Sequence, residues 1–269
     1  MSPFNSLISK NFAVATTFPK ISTRGLVLHL DAGQQNSYPG SGTTWTDLSG
    51  NGNTGTLVNG VGYSASNGGA LTFDGSNDYM RIPTFTNTPQ STMTLLYWIN
   101  FTQQGSIAQQ SRSPSDSNSE WMLNLSGNKL LFWDYNNGYG FNNVVSNTTL
   151  SANIWYQVGF VKNVTSGIFY LNGLQDGTAT AALNAAYGNN DYVMGFDYRD
   201  NNNYFGGNIA QASIYNRALT TTEIQQNFQA LRGRFGIWVC KCINNHTMPS
   251  ASHEDGRNVM QTFFLSSST

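Results

Sequence analysis

The stretch Gly25–Gly33 (GLVLHLDAG) decides the fold: Leu26, Leu28 and Leu30 recur at every second position, and a glycine closes each end. Period-two alternation between turn residues marks a half-buried β-strand. Working outward, Met93, Leu95, Tyr97, Ile99 and Phe101 share one face of another strand, with Trp98 opposite. Ile154, Tyr156, Val158 and Phe160 repeat the theme. Asn172-Gly173, set between IFYL and LQDG, is the clearest hairpin signal, because a type I′ turn needs positive φ at both central residues. Strand signals without intervening helical patterns predict an all-β fold, an antiparallel β-sandwich over residues 25–237. One short helix is expected near its C-terminal side. Thr220 and Glu223 form a capping box, and Ile224, Phe228 and Leu231 follow at helical spacing. Its apolar stripe is expected to pack against the end of the sandwich.

The chain divides by composition into an N-terminal arm (1–24), the sandwich (25–237) and a C-terminal extension (238–269). Only 10% of the residues are charged and the net charge is −1. Nucleic acid needs a basic face, so it is not an expected partner, and neither is an anionic membrane surface. Solubility must rest on uncharged Asn, Ser, Thr and Gly, while 13% aromatic residues supply the core and argue against disorder. The first twenty residues lack a basic start and a long apolar run, so no signal peptide is expected. The Asn-x-Ser/Thr matches at Asn100, Asn124, Asn147, Asn163 and Asn245 are accordingly read as unglycosylated.

Four segments carry a resemblance: Gly25–Gly33, Trp45–Leu57 (WTDLSGNGNTGTL), Gly69–Pro83 (GALTFDGSNDYMRIP) and Ile214–Phe228 (IYNRALTTTEIQQNF). In this order they resemble the laminin-G-like, concanavalin A-like jelly roll, in the variant found in structural proteins of tailed phages, especially phages of marine bacteria. The resemblance implies a calcium-holding loop at Asp47, Asn51 and Asn53. A carboxylate, amide oxygens and glycine-freed carbonyls suit such an ion. The alternative is that Asp47 and the asparagines close a tight Asx turn. Relatives often read I-D-E-V-R-I-Y where this chain has Ile209-Ala210-Gln211-Ala212-Ser213-Ile214-Tyr215, which removes an acidic pair.

Hydrolysis of sugars needs two carboxylates facing one cleft. Of Glu120, Glu223 and Glu254, none has an aspartate two residues on, and no nucleophile elbow or phosphate loop occurs. A non-enzyme is expected. Cys240, Cys242, His246 and His253 supply four zinc-type ligands, but at no common zinc spacing. Sugar binding would use rings beside amides or carboxylates on loops. Two loops have that composition: Tyr135, Asn137 and Tyr139 in one, Asp197, Tyr198, Asn202 and Tyr204 in the other. Trp98, Trp133 and Trp155 read as core.

Together these readings predict a non-enzymatic protein exposed on a phage particle, a capsid decoration or appendage component made in the host cytoplasm. Its expected partners are other virion proteins, copies of itself and surface glycan. The alternative is a host-surface glycan-binding module of a tail or fibre.

Overall fold

The alternation becomes two antiparallel sheets in the computed structural model, which describes residues 19–87, 91–111, 119–135, 141–164, 166–180, 190–197 and 203–237. In chain order the first strands are β1 (Leu26–Asp31), β2 (Thr44–Trp45), β3 (Gly55–Val58), β4 (Gly62–Ser64) and β5 (Ala70–Asp74). Then come β6 (Tyr79–Ile82), β7 (Thr92–Gln103), β8 (Gly105–Ser111), β9 (Ser119–Ser126), β10 (Lys129–Tyr135) and β11 (Phe141–Val145). The last are β12 (Trp155–Asn163), β13 (Ser166–Leu171), β14 (Leu174–Thr180), β15 (Asp191–Met194) and β16 (Gly206–Tyr215), followed by α1 (Thr221–Leu231) and a 3₁₀ turn, Arg232–Phe235. Sheet one runs β14-β13-β12-β7-β16-β5-β4, with β1 also paired to β16; sheet two runs β11-β10-β9-β8-β15-β6-β3-β2.

The inner faces meet over one core that includes Met93, Leu95, Tyr97, Ile99 and Phe101 of β7 and Tyr156, Val158 and Phe160 of β12. Phe132 stacks on Phe160 at 3.9 Å between ring centroids, joining the sheets. Two residues further along the same strands, Asp134 and Lys162 are both fully buried. Burial pushes the Lys162 amine down to about 8, with the Asp134 charge opposing. At Asn172-Gly173 both φ angles are positive (50° and 80°), as a type I′ turn requires. A Cβ on Gly173 would also lie 3.0 Å from Phe228 Cβ, a contact tighter than most, so the turn favours glycine on conformation first and on space second.

Two expectations are corrected. Leu26 does not share a face with Leu28 and Leu30, because a register shift between Leu26 and Leu28 interrupts the pairing with β16. Val27 joins the main core instead, while Leu26 packs with Leu96, Tyr215 and Ile224 on the other side of sheet one. A bulge adds one residue and so reverses which side chains face inward. The helix, in turn, lies across the outer face of sheet one and not against the end of the sandwich. Ile224 packs with Leu96, Val161, Tyr170 and Tyr215. Phe228 packs with Ala70, Trp98, Ala210 and Phe235. The capping box itself forms as predicted, with Thr220 and Glu223 each accepting the other's amide.

Residues 20–24, grouped with the arm by composition, are held along this helix. Asn227 Oδ1 accepts the Ser22 amide at 3.2 Å, Tyr215 donates its hydroxyl to Ser22 O at 2.8 Å, and Gln226 donates to Lys20 O at 2.7 Å. Arg234 closes the other side, donating to Asp31 Oδ1 at 2.7 Å and to the carbonyls of Asn67, Gly68 and Gly69.

Candidate functional site

Sheet two has the other outer face, and alternation decides what stands on it. Met80 and Ile82 of β6 point into the core, which leaves Tyr79 and Arg81 outward. On β15, Tyr192 and Met194 point in and Val193 points out. The register lines up Trp133, Met122, Gln109, Val193 and Arg81 across five strands. Gln109, Met122 and Val193 are buried. Arg81 keeps 40% of its side chain exposed and pairs with Asp191 Oδ2 at 2.6 Å.

An aromatic cluster sits at the end of this face nearest the β7–β8 turn. Phe196 stacks on Tyr204 at 4.5 Å and meets Tyr79 at 5.6 Å. Phe196 is buried, whereas Tyr79 and Tyr204 stay half-buried with part of each ring in solvent. Burial first, then the nearby Tyr79 and Asp74, push the Tyr204 hydroxyl up. Gly105 lets the Tyr204 backbone press onto β8, because a Cβ there would sit 2.3 Å from Tyr204 O. Exposed amides ring the cluster. Gln103 donates to Gly75 O at 2.8 Å and to Tyr204 O at 3.3 Å, and Asn59 donates to Asn77 O at 2.8 Å. The turn Asp74–Asp78 completes it. Asp74 Oδ1 accepts the amides of Ser76 and Asn77 at 2.8 and 3.1 Å. Those bonds hold the Asp74 carboxyl below its ordinary value. Asp78 lies beneath the turn, and burial raises its carboxyl.

The described ends of the two loops nominated by composition lie far apart. Tyr135 ends β10 opposite Phe141, at the end of sheet two where Asp191 pairs with Ser111. The loop after β15 lies at the other end, where Ser106 bridges to Tyr204. The length of β8 separates them, about 20 Å. Of the nominated residues, Asp197 is fully buried and Tyr204 is in the cluster. Asn137, Tyr139, Tyr198, Asn202 and the Tyr135 side chain lie outside the described residues, as do Cys240, Cys242, His246 and His253. Trp133 is not core: it alternates with inward Phe132 and is half-buried on the outer face.

The Asp47 loop is a hydrogen-bonded clasp. Asp47 Oδ1 accepts the amides of His29 and Ser49, each at 2.9 Å. Oδ2 accepts the Ser49 hydroxyl at 2.7 Å and the Asn53 amide at 3.0 Å. Asn53 Oδ1 accepts the Thr86 amide and hydroxyl at 3.0 Å, and its Nδ2 donates to Val27 O at 2.9 Å. Asn51 donates to Leu26 O and accepts from Asn87. Calcium needs several oxygens turned toward one point, and here each of these oxygens faces a donor. As placed, these side chains do not fit the ion. Gln211, at the position of the relatives' acid, is instead buried beside Ser213 and His29. Among the described residues no group of three or more His, Cys, Asp or Glu side chains comes together.

A family model described as the concanavalin A-like lectin/glucanases superfamily matches residues 74–225, more than half of the chain. The chain belongs to that superfamily. Among solved structures, this lectin/glucanase-type chain is similar to domain 4 of AbnA, an extracellular arabinanase of Geobacillus stearothermophilus, in complex with arabinotriose. Identity is 17% and the TM-score 0.61, covering 75% of this chain and 97% of that one. It is likewise similar to the binding domain of Paraclostridial Mosquitocidal Protein 1 (17%, TM-score 0.61, 76% and 52%). The binding domain of botulinum neurotoxin serotype D gives 16%, TM-score 0.61, 77% and 52%. The chain therefore spans about half the length of these toxin binding domains. No curated protein matches it.

Within this superfamily chain, composition had pointed to Tyr204 but not to Tyr79, Phe196, Gln103 or Asn59. Strict alternation along Tyr79-Met80-Arg81-Ile82 was the available signal for Tyr79.

Proposed function

We propose that this domain is a glycan-binding module that works without catalysis, through the Tyr79–Phe196–Tyr204 patch on sheet two. The observation that carries the reading is the pair of half-exposed tyrosine rings beside the amides of Gln103 and Asn59. Ring faces accept the C–H faces of a sugar while amides and carboxylates take its hydroxyls. The fold is also that of domains whose solved complexes hold sugars: arabinotriose in domain 4 of AbnA, SialylT in a botulinum neurotoxin DC binding domain. Four described carboxylates are engaged in ways that suit a non-catalytic reading, and Asp74 and Asp78 accept backbone amides of their own turn. Asp31 and Glu223 are bound to Arg234 and Arg217, Asp191 to Arg81, and Asp47 is saturated by donors. Replacing Tyr204 or Tyr79 by alanine is expected to abolish retention on a glycan array. Retention unchanged in both variants would remove the reading.

The same module mounted on a tailed-phage particle is the finer reading, and it rests on the sequence resemblance. One observation favours such a mounting. The chain enters at residues 19–24 and leaves at 232–237 along the helix-covered side of sheet one, so the patch on sheet two points away from both. Immunogold labelling of purified particles tests it, and particles that never label would count against it.

A further inference from the structure

Resting on the glycan-binding reading, we infer that the Tyr79–Tyr204 patch selects uncharged sugars and turns away uronic, sialic and sulfated ones. The argument is one of charge. Asp74 stands exposed at the rim with Asp78 beneath it, both within the turn that borders Tyr79. Among the described residues Arg81 is the cation on that part of the sheet, and both its Nε (2.7 Å) and an Nη (2.6 Å) are turned to Asp191 Oδ2. Fork-type binding of this kind uses the guanidinium edge that an anionic sugar would need.

The other described cations stand elsewhere. Lys20, Arg24, Arg217, Arg232 and Arg234 lie in or beside the segments that cover sheet one, and Lys162 is buried between the sheets. Lys129 opens β10, which is separated from β15 by β9 and β8, or about 14 Å. Segment 198–202, outside the described residues, contains one arginine and one aspartate. An incoming carboxylate would meet Asp74 with Arg81, among the described residues, already paired to Asp191, whereas a neutral sugar meets rings, amides and hydrogen-bond acceptors.

The test is a printed array of neutral arabino-, gluco-, manno- and galacto-oligosaccharides beside uronate, sialylated and sulfated counterparts. It is probed with the full chain at about 10 mM salt, where the screening length is roughly 30 Å. The expected result is binding to neutral members, about fivefold or more weaker binding to matched acidic ones, and loss of binding in Tyr204→Ala. Asp74→Asn, which keeps the Oδ1 acceptor of the turn, is expected to narrow the neutral-to-acidic ratio. Thermal melts confirm that each variant is folded. Acidic sugars bound as well as or better than neutral ones, in a Tyr204-dependent way, would overturn the selectivity and leave the glycan reading standing. So would a ratio unmoved by Asp74→Asn. Binding to nothing, or binding indifferent to both Tyr79→Ala and Tyr204→Ala in folded protein, would overturn the selectivity together with the reading beneath it.

Discussion

The two sheets are built from the same alternating pattern, yet their outer faces have opposite fates. Sheet one carries Leu96, Trp98, Tyr170 and Tyr215 outward, and α1, the 3₁₀ turn and residues 20–24 cover them. Sheet two carries Tyr79, Arg81 and Trp133 outward with part of each in solvent, while Gln109, Met122 and Val193 between Arg81 and Trp133 are buried. A face that is covered must satisfy its polar groups internally, which explains the dense network around Arg234, Asn227 and Glu223. The half-buried rings and exposed amides at the Tyr204 end of sheet two keep groups available for recognition. The lesson is that stability and binding occupy opposite sides of one sandwich, so substitutions should separate them.

Arg234→Ala breaks the comparison most directly. It removes the cation from buried Asp31, which keeps only the Gly33 amide and Gln34 as donors, and unlatches the carbonyls of 67–69, so unfolding stability should fall by about 3 kcal/mol in a urea titration. A fall under about 1 kcal/mol would mean that the staple is redundant. Asp47→Ala comes next, with about 2 kcal/mol lost as four donors lose their acceptor. The wild-type melting temperature should be the same in EDTA and in millimolar calcium; a calcium-dependent rise that Asp47→Ala removes would show an ion in the loop. Thr220→Ala should cost about 1 kcal/mol as the helix loses its N-cap.

Acid should loosen the covered face first. Hydrogen bonds from Arg217 hold the Glu223 carboxyl down at about 2, so its contribution is complete above the unfolded value of 4.5 and is lost as pH falls toward 2. Burial lowers the His29 imidazole, so the native state resists a proton that the unfolded chain takes up. Stability should therefore begin to decline as pH drops below 6.5, and His29→Gln should flatten that part of the profile. Urea midpoints from pH 3 to 8 check both, and a profile identical in the variant would remove His29 from the account. No larger than the cap variant in stability is Tyr204→Ala, at about 1 kcal/mol for the lost stack on Phe196. Its binding defect should nonetheless be the largest of all, which is the sharpest form of the comparison.

Local features were legible in the sequence because their physics is local. The β7 and β12 alternations, the Asn172-Gly173 turn and the Thr220–Glu223 box each depend on neighbours a few residues away. The face taken by Leu26 was not legible, since a bulge is set by pairing with β16, nearly two hundred residues later in the chain. Composition nominated two loops with equal justice. It could not see that strand register puts the described ends of those loops at opposite ends of sheet two, or that Tyr79 from β6 joins Phe196 and Tyr204.

By itself, then, the sequence determined the class of fold, the strands and the capped helix, because backbone periodicity and turn chemistry are read over short windows. Only the tertiary structure decided which outer face the helix would cover, that the Asp47 loop would close on hydrogen-bond donors, and where half-exposed rings would meet amides. Those outcomes depend on register and on contacts between segments far apart in the chain, which periodicity does not encode.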